Sequence, residues 1–175
     1  WQSASRMPKF LDSYNYAVLM NEAYTNDGLK GPYDETALQK FKDGSDPDFY
    51  PNSDWLGTLL SENGLFNNQH LSIKGGGDKV TYSLAFNYHD KDGLIVNTNY
   101  NKFTVRANID AQINSRLKLT TNMAVYRSNM TAPAAGISNL MHYAFRETPV
   151  TPIQLSNGNY ALFKNEHNSV AYARE

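Results

Sequence analysis

Four segments of the sequence alternate apolar and polar residues, and the connections between them alternate between short and long. In the second segment Val80, Tyr82 and Leu84 fall on one side of the chain, with polar residues between them. A period of two predicts β-strands with one apolar and one polar face. The sequence predicts tight turns at Gly76 and Asn114 and a longer connection over 91–99. The predicted strands are Asn67–Gly75, Lys79–Asp90, Tyr100–Ile113 and Leu117–Ser128.

Strands of this kind occur both in soluble sheets and in membrane barrels. The third and fourth segments alternate for roughly twice the 5–6 residues that are usual in soluble proteins, and about 9–11 residues cross a bilayer. The mean hydropathy of −0.58 does not exclude a membrane, because barrel strands alternate. Short turns at one end, long connections at the other, and tyrosines near both ends (Tyr82 and Tyr88) also fit a barrel. The residue pattern by itself leaves both architectures open.

Composition narrows the function only a little. The 175 residues include 16 basic and 17 acidic side chains, for a net charge of −1, so no electrostatic case for nucleic-acid binding follows. The absence of cysteine excludes disulfides and thiolate metal sites. The chain opens at Trp1 without a signal-like segment, and we expect it to be a piece of a longer protein.

The segments outside these strands are predicted to be long loops that carry small helices. Residues 1–10 are predicted to hold the end of a first strand, and 11–66 a long loop with helices after Asp12 or Ser13, after Asp34 and at Trp55. The four strands occupy 67–130. Residues 131–175 are predicted to form a second long loop, with a helix capped by Ser138 and a hairpin of 151–155 with 159–163 around the Asn-Gly sequence at 157–158.

Several short motifs, in order, resemble the SusC/RagA family of TonB-linked outer-membrane proteins. LDSYNYAVLMNEA at 11–23 resembles the helix after the family's first barrel strand, and FKDGSDPDFYPNSDW at 41–55 resembles the segment that follows. HLSIKGGGDKVTYSLAFNY at 70–88 resembles its first full hairpin. DGLI at 92–95, RANID at 106–110, LKL at 117–119 and RETPVTP at 146–152 continue the resemblance.

This resemblance implies that the chain is a segment of a 22-stranded antiparallel transmembrane β-barrel in a bacterial outer membrane. It implies an N-terminal plug, energy from TonB-ExbB-ExbD, a SusD-like lipoprotein partner, and import of oligosaccharides or peptides in Bacteroidota. We expect the chain to be an all-β partial barrel domain with the plug absent. Two alternatives stay open: a soluble all-β carbohydrate-binding module, and a surface adhesin or structural barrel without transport.

Three groups of residues are candidates for binding. Asp43, Asp46 and Asp48, with Asp54 nearby, crowd one loop; such hard oxygen ligands suit Ca²⁺, and solvated turn residues are the alternative. Tyr50 and Trp55 are candidates for stacking on sugar rings or for packing within their own loop. Given the resemblance, Lys102, Arg106 and Asp110 are predicted to face the barrel lumen, with Arg106 and Asp110 pairing with each other or with a plug.

No group of residues predicts catalysis. The sequence has no Ser-His-Asp arrangement and no paired carboxylates placed for acid-base chemistry. Its four histidines lack the spacing of a metal site. We therefore expect a protein that is not an enzyme and needs no catalytic cofactor.

Overall fold

A computed structural model describes residues 2–162 and 167–174. The chain divides into two compact units that each draw on separate stretches of the sequence. The first unit contains residues 2–3, 63–94 and 98–131, and the second contains 4–62, 95–97 and 132–174. Within the described residues, no helix combines the length and the apolar character needed to cross a membrane.

The first unit is built on a four-stranded antiparallel sheet whose strands follow one another in chain order. Each strand starts and ends within three residues of its predicted bounds, because the alternating pattern extends over its whole length. The strands are long, at 11 to 16 residues. They are β3 (Phe66–Gly76), β4 (Val80–Asp92), β5 (Asn99–Asn114) and β6 (Leu117–Thr131).

The register places like residues opposite each other across all four strands. Phe86 pairs with Leu71 and with Val105, and Val105 pairs with Val125. One face of the sheet is therefore mainly apolar and the other mainly polar. The polar side chains that share the apolar face between its two ends are Gln69, Thr121 and Arg127. The apolar side chains of this face are exposed or half-buried: Val125 is 70% and Leu71 60% accessible, while Phe86 and Val105 are half-buried.

Short turns join the hairpins at one end of the sheet. The amide of Gly77 donates to the carbonyl oxygen of Val80 at 2.7 Å. Gly76 adopts φ +143°, and a Cβ there would overlap the Val80 carbonyl oxygen and the Thr81 Cα. Only glycine fits this position easily. The β5–β6 turn includes a register shift between Gln112 and Asn114, and Asn114 Oδ1 accepts from the Arg116 amide at 2.9 Å.

The predicted first strand is very short in the structure. Two residues, β1 (Gln2–Ser3), pair antiparallel with β2 (Asn63–Gly64). The Gln2 side chain donates from Nε2 to the carbonyl oxygen of Asp92 at 2.9 Å. Residues 4–10 carry no regular structure, and Pro8 cannot donate to a ladder.

The second unit contains small helices with side-chain caps. Asp12 caps the first helix by accepting from the Asn15 amide, and Asp34 caps the second by accepting from the Ala37 amide. Asp54 caps the third by accepting from the Gly57 amide. These caps satisfy amides that have no partner within the helix. The helices are α1 (Ser13–Asn26), α2 (Glu35–Asp43), α3 (Trp55–Leu59), α4 (Ile137–Ala144) and α5 (Ser169–Arg174).

Two helical features differ from the sequence prediction. Ser138 does not cap α4, because the helix starts at Ile137 after Gly136, which has φ +77° and provides no side-chain hydrogen bond. Helix α5 was not predicted. Asn168 starts it by accepting from the Ala171 amide, while its Nδ2 donates to the carbonyl oxygens of Ile153 and Ala161 at 2.8 and 2.9 Å.

The predicted hairpin near the end of the chain is reduced to a single bridge. Gln154 pairs antiparallel with Tyr160. Gly158 lies at φ +86° in the turn between them, as the Asn-Gly sequence predicts. The second predicted strand, 159–163, ends at a position outside the described residues.

The hydrophobic core of the second unit joins its separate segments. Helix α3 contributes three of its residues, and single residues or short helices from 95–97 and 132–174 complete it. The buried members are Trp55, Leu56, Leu59, Ile95, Leu140, Ala144, Val170 and Ala173. The two segments predicted as long loops therefore share one core, which stabilises both through burial of apolar area.

Candidate functional site

The polar face of the four-stranded sheet carries a concave groove of about 420 Å³. The strand register places its residues in three successive rows. Lys102 lies opposite His89, Thr104 opposite Asn87, and Arg106 opposite Ala85. His70 lies opposite Asn87 on the other side. The groove is lined by His70, Ala85, Asn87, His89, Tyr100, Lys102, Thr104 and Arg106.

Small neighbours leave room around Arg106. In the register it lies between Ala85 of β4 and Ala124 of β6. Neither methyl group can reach the guanidinium or offer it a hydrogen bond. The ion pairs found among the described residues involve other side chains, so Arg106 contributes a positive charge that no carboxylate there neutralises.

Aromatic rings accompany the second cation of the groove. Lys102 Nζ lies 4.7 Å from the centroid of the Tyr126 ring, a distance at which a cation is attracted to the ring face. The His89 ring contacts Phe66 and Tyr100 edge to face, with centroids 4.9 and 6.0 Å apart. Lys102 is held by an aromatic face and not by a carboxylate.

Asp110, the third predicted polar residue, does not pair with Arg106. It accepts from Thr120 Oγ1 at 2.5 Å and lies 3.4 Å from Lys118 Nζ. Both partners are on β6, and Thr120 is directly opposite Asp110. Cross-strand geometry therefore replaces the predicted pairing along β5. Lys102, Arg106 and Asp110 do share the polar face, as their even spacing predicts.

The apolar face ends in a ladder of amide and carboxylate groups at the end of the sheet away from the tight turns. Asn129 Nδ2 donates to Asn101 Oδ1 at 3.1 Å. Asn99 Nδ2 donates to Asp90 Oδ1 at 3.1 Å and to Asp92 Oδ1 at 2.9 Å. The row just before this ladder pairs Tyr88 with Phe103. Two aromatic residues on the central strands thus lie between the apolar face and a polar border, with Gln69 and Arg127 completing their row.

The two aromatic candidates lie in the second unit. Trp55 is 4% exposed and donates from Nε1 to the carbonyl oxygen of Thr148 at 2.9 Å. Its ring packs in the core, so in this structure it is not accessible for stacking on a sugar ring. Tyr50 is half-buried and packs edge to face on Phe41, with centroids 5.3 Å apart, while Lys40 Nζ lies 4.7 Å from its ring.

The three candidate metal ligands act as acceptors in separate local contacts. Asp43 accepts from the Ser45 amide at 2.9 Å, and hydrogen bonding to Ser45 lowers the pKa of its carboxyl. Asp46 lies 3.4 Å from Lys40 Nζ. Asp48 accepts from the amide and Oγ of Ser156 at 2.7 and 2.6 Å. In the part of the chain that the structure describes, no three His, Cys, Asp or Glu residues are grouped to hold a metal ion.

A second concavity, of about 580 Å³, lies within the second unit. Phe10 and Phe145 meet edge to face in its wall with centroids 6.0 Å apart. Arg146 and Glu147 also line it. Glu147 accepts from the amide and Oγ of Ser169 at 2.9 and 2.6 Å, and burial raises the pKa of its carboxyl.

The sequence prediction missed several residues of the groove. His70, Asn87, His89 and Tyr100 line it together with the predicted Lys102 and Arg106. Each of them occupies an alternate position of its strand that points to the polar face, so the alternating pattern could have placed them there. Their alignment into neighbouring rows depends on the register, which the turns set.

Comparison with known proteins finds curated relatives but no family. No family model matches the chain. The curated proteins that it resembles are TonB-dependent receptors.

Two of these relatives come from Formosa agariphila. TonB-dependent receptor P26 is 25% identical over 162 residues, which is 93% of this chain and 15% of the relative. TonB-dependent receptor P3 is 28% identical over 118 residues, which is 63% of this chain and 12% of the relative. The chain therefore spans a small part of the length of the curated relatives that it matches.

Proposed function

We propose that this chain is part of a TonB-dependent outer-membrane importer, and that its four-stranded sheet forms part of the barrel wall. The observation that carries the proposal is the exposed apolar face that crosses all four strands. In a soluble sandwich this face would be covered by a second sheet. A contiguous exposed apolar surface of this extent is typical of an interface with a membrane or a partner.

The dimensions of the apolar face fit a bilayer. Phe103 and Ile113 lie ten residues apart on β5, which corresponds to about 33 Å along a strand. A tilt of about 40° reduces this to an apolar band of about 25 Å, the height expected for outer-membrane barrels. The Tyr88–Phe103 row would lie at one interface, and the asparagine and aspartate ladder beyond it would lie in the headgroup region.

The edges of the sheet support a larger barrel. In the described residues β3 and β6 each pair along one edge only. Unpaired backbone groups are costly in lipid, so barrel strands close on neighbours. The size of the relatives leaves room for those neighbours elsewhere in the protein. We propose 22 strands in total and an N-terminal plug, as the SusC/RagA resemblance implies.

The long segments 4–62 and 132–174 are proposed to be external loops. Short periplasmic turns and long external loops are the usual asymmetry of such barrels, and the turns at 77–79 and 115–116 are the short ones. The proposed partners are TonB-ExbB-ExbD and a SusD-like surface lipoprotein. The proposed cargo is an oligosaccharide or a peptide.

Gene deletion in the source bacterium tests this proposal. Loss of the full-length protein is expected to abolish growth on one class of oligosaccharide or peptide, and loss of TonB is expected to have the same effect. The protein is expected in the outer-membrane fraction, where a SusD-like lipoprotein encoded nearby copurifies with it. A full-length product that is a folded monomer without detergent would contradict the proposal. An outer-membrane protein whose deletion leaves all uptake unchanged would favour an adhesin or structural barrel.

A further inference from the structure

We infer that the groove on the polar face of the sheet binds the carboxylate group of an anionic ligand through Lys102 and Arg106. The inference rests on the proposed function, because it assumes that the polar face lines the path of an imported molecule. It adds the chemical class of that molecule. Oligosaccharides with uronic acids and peptides both carry carboxylates, so this chemistry is common to both proposed cargoes.

The first argument concerns charge. Two cationic side chains, Lys102 and Arg106, line the same groove, and no described carboxylate pairs with either. The neighbouring Asp110 is occupied by Thr120 and Lys118. Uncompensated cations that line one concave surface attract anions, since charges of one sign in a groove add their fields there.

The second argument concerns geometry. Lys102 and Arg106 are four residues apart on β5, which places their Cα atoms about 13 Å apart. Both side chains are long enough to converge above the row between them, where Thr104 lies opposite Asn87. The small residues Ala85 and Ala124 keep the space beside Arg106 open. A guanidinium with open space can bind a carboxylate through two parallel hydrogen bonds.

The third argument concerns the other groups in the groove. His70, His89 and Asn87 offer hydrogen-bond donors. The rings of Tyr100 and Tyr126 supply flat apolar surfaces next to the cations. Cations, amides and aromatic rings together match a polar ligand that carries a negative charge. A neutral apolar ligand would leave the cations without compensation.

Binding to the purified full-length protein in detergent tests the inference. The probes are trigalacturonate and triglutamate, with maltotriose and N-acetyltriglycine amide as neutral counterparts, and binding is measured by calorimetry. At least one acidic probe is expected to bind about tenfold or more tightly than its neutral counterpart, with an affinity that falls as salt increases. The sugar and peptide pairs identify which source supplies the carboxylate.

The double variant K102Q/R106Q is expected to lose that preference, with a drop in affinity of about tenfold or more for the acidic probe. The matched control is Lys74→Gln, which removes a lysine from the same polar face outside the groove. Its affinity should stay within about twofold of the wild type. If the double variant fails to assemble, Arg106→Lys, which keeps the charge and loses the planar fork, is expected to weaken binding severalfold.

Four results would overturn the inference. Three of them are equal affinity for acidic and neutral probes, unchanged binding by the double variant, and binding that is independent of salt. The fourth is a combined result, in which the wild type binds no acidic probe and the double variant has a lower melting temperature. It would mean that another part of the protein fills the groove. Binding in detergent does not need TonB. If the purified protein binds an acidic probe but no import is observed, that result contradicts the proposed function alone.

Discussion

Trp55 donates its indole N–H to the carbonyl oxygen of Thr148 across 2.9 Å and so joins segments that are 93 residues apart in the sequence. Trp55 starts α3 and is buried in the core with Leu140 and Val170. A residue that the sequence offered as a candidate sugar platform therefore holds the second unit together. The consequence for experiment is that changes at Trp55 should alter stability before they alter binding.

Replacing Trp55 by Phe is expected to destabilise the second unit by about 1–2 kcal/mol. The ring packing is largely kept, but the Thr148 carbonyl loses its donor. Trp55→Ala is expected to cost about 3–5 kcal/mol through the cavity that it leaves. Hydrogen exchange of the α3 amides in the full-length protein measures the effect. Phe49→Ala is the control, since Phe49 is 77% exposed. Weaker oligosaccharide binding with unchanged exchange would instead make Trp55 a ligand residue.

Introducing a lysine distinguishes the two faces of the sheet. Met123 lies on the apolar face opposite Ala107, and Asn122 lies on the polar face opposite Asn108. If the sheet forms part of the proposed barrel, Met123→Lys is expected to lower the stability of the folded protein by about 2–4 kcal/mol, because the charge would enter the bilayer. Asn122→Lys, the matched control one residue away, should change it by less than about 0.5 kcal/mol. Urea unfolding in lipid vesicles measures both. Equal effects would contradict the assignment of the apolar face to lipid.

The β3–β4 turn provides a test of local geometry. Gly76→Ala is expected to destabilise the hairpin by about 1–3 kcal/mol, because φ +143° is reserved for glycine and the new Cβ would overlap the Val80 carbonyl oxygen. Gly77→Ala is the control, since a Cβ there meets nothing within 4 Å. The fraction of protein that reaches the folded, heat-modifiable form on a gel reports the difference. Similar folded fractions for both variants would argue against this turn.

Glu147 predicts a pH dependence of the second unit. Burial raises the pKa of its carboxyl above the usual 4.5 in the folded protein, so the folded state binds the proton more tightly than the unfolded state. Stability from this group is therefore fully present below pH 4.5 and is lost as pH rises through the raised pKa. In Glu147→Gln this loss should be absent. Hydrogen exchange of the α5 amides, compared between wild type and variant across pH, measures it. A wild type that gains stability relative to the variant as pH rises would contradict this sign.

The four strands could be predicted because their signal is local. Long alternation shows the period of two directly, and the glycines at 75–77 together with the Asn114 turn set where each hairpin reverses. The N-caps of α1 and α2, Asp12 and Asp34, could also be predicted from the sequence. A short acidic side chain before an apolar helical run satisfies the first amides of the helix. Each of these features depends on residues within a few positions of one another.

Other features could not be predicted because they depend on distant contacts. Helix α5 has six residues, too few to form by propensity, and it forms because Val170 and Ala173 enter a core shared with α3. Asp48 and Ser156 meet across 108 residues of sequence. Asp110 pairs with Thr120 and Lys118 and not with Arg106, because partners across a strand pair lie closer than residues four apart along one strand.

The sequence by itself determined the strands of the sheet, which residues share a face, and where the tight turns lie, because these follow from the pleat of a single strand and the conformational freedom of glycine. Only the tertiary structure decided that the two long segments share one core, that Trp55 is buried, and that Lys102 and Arg106 line a groove without a carboxylate partner. Those outcomes depend on burial against distant residues and on which side chains meet across paired strands, and the pattern of a single strand encodes neither.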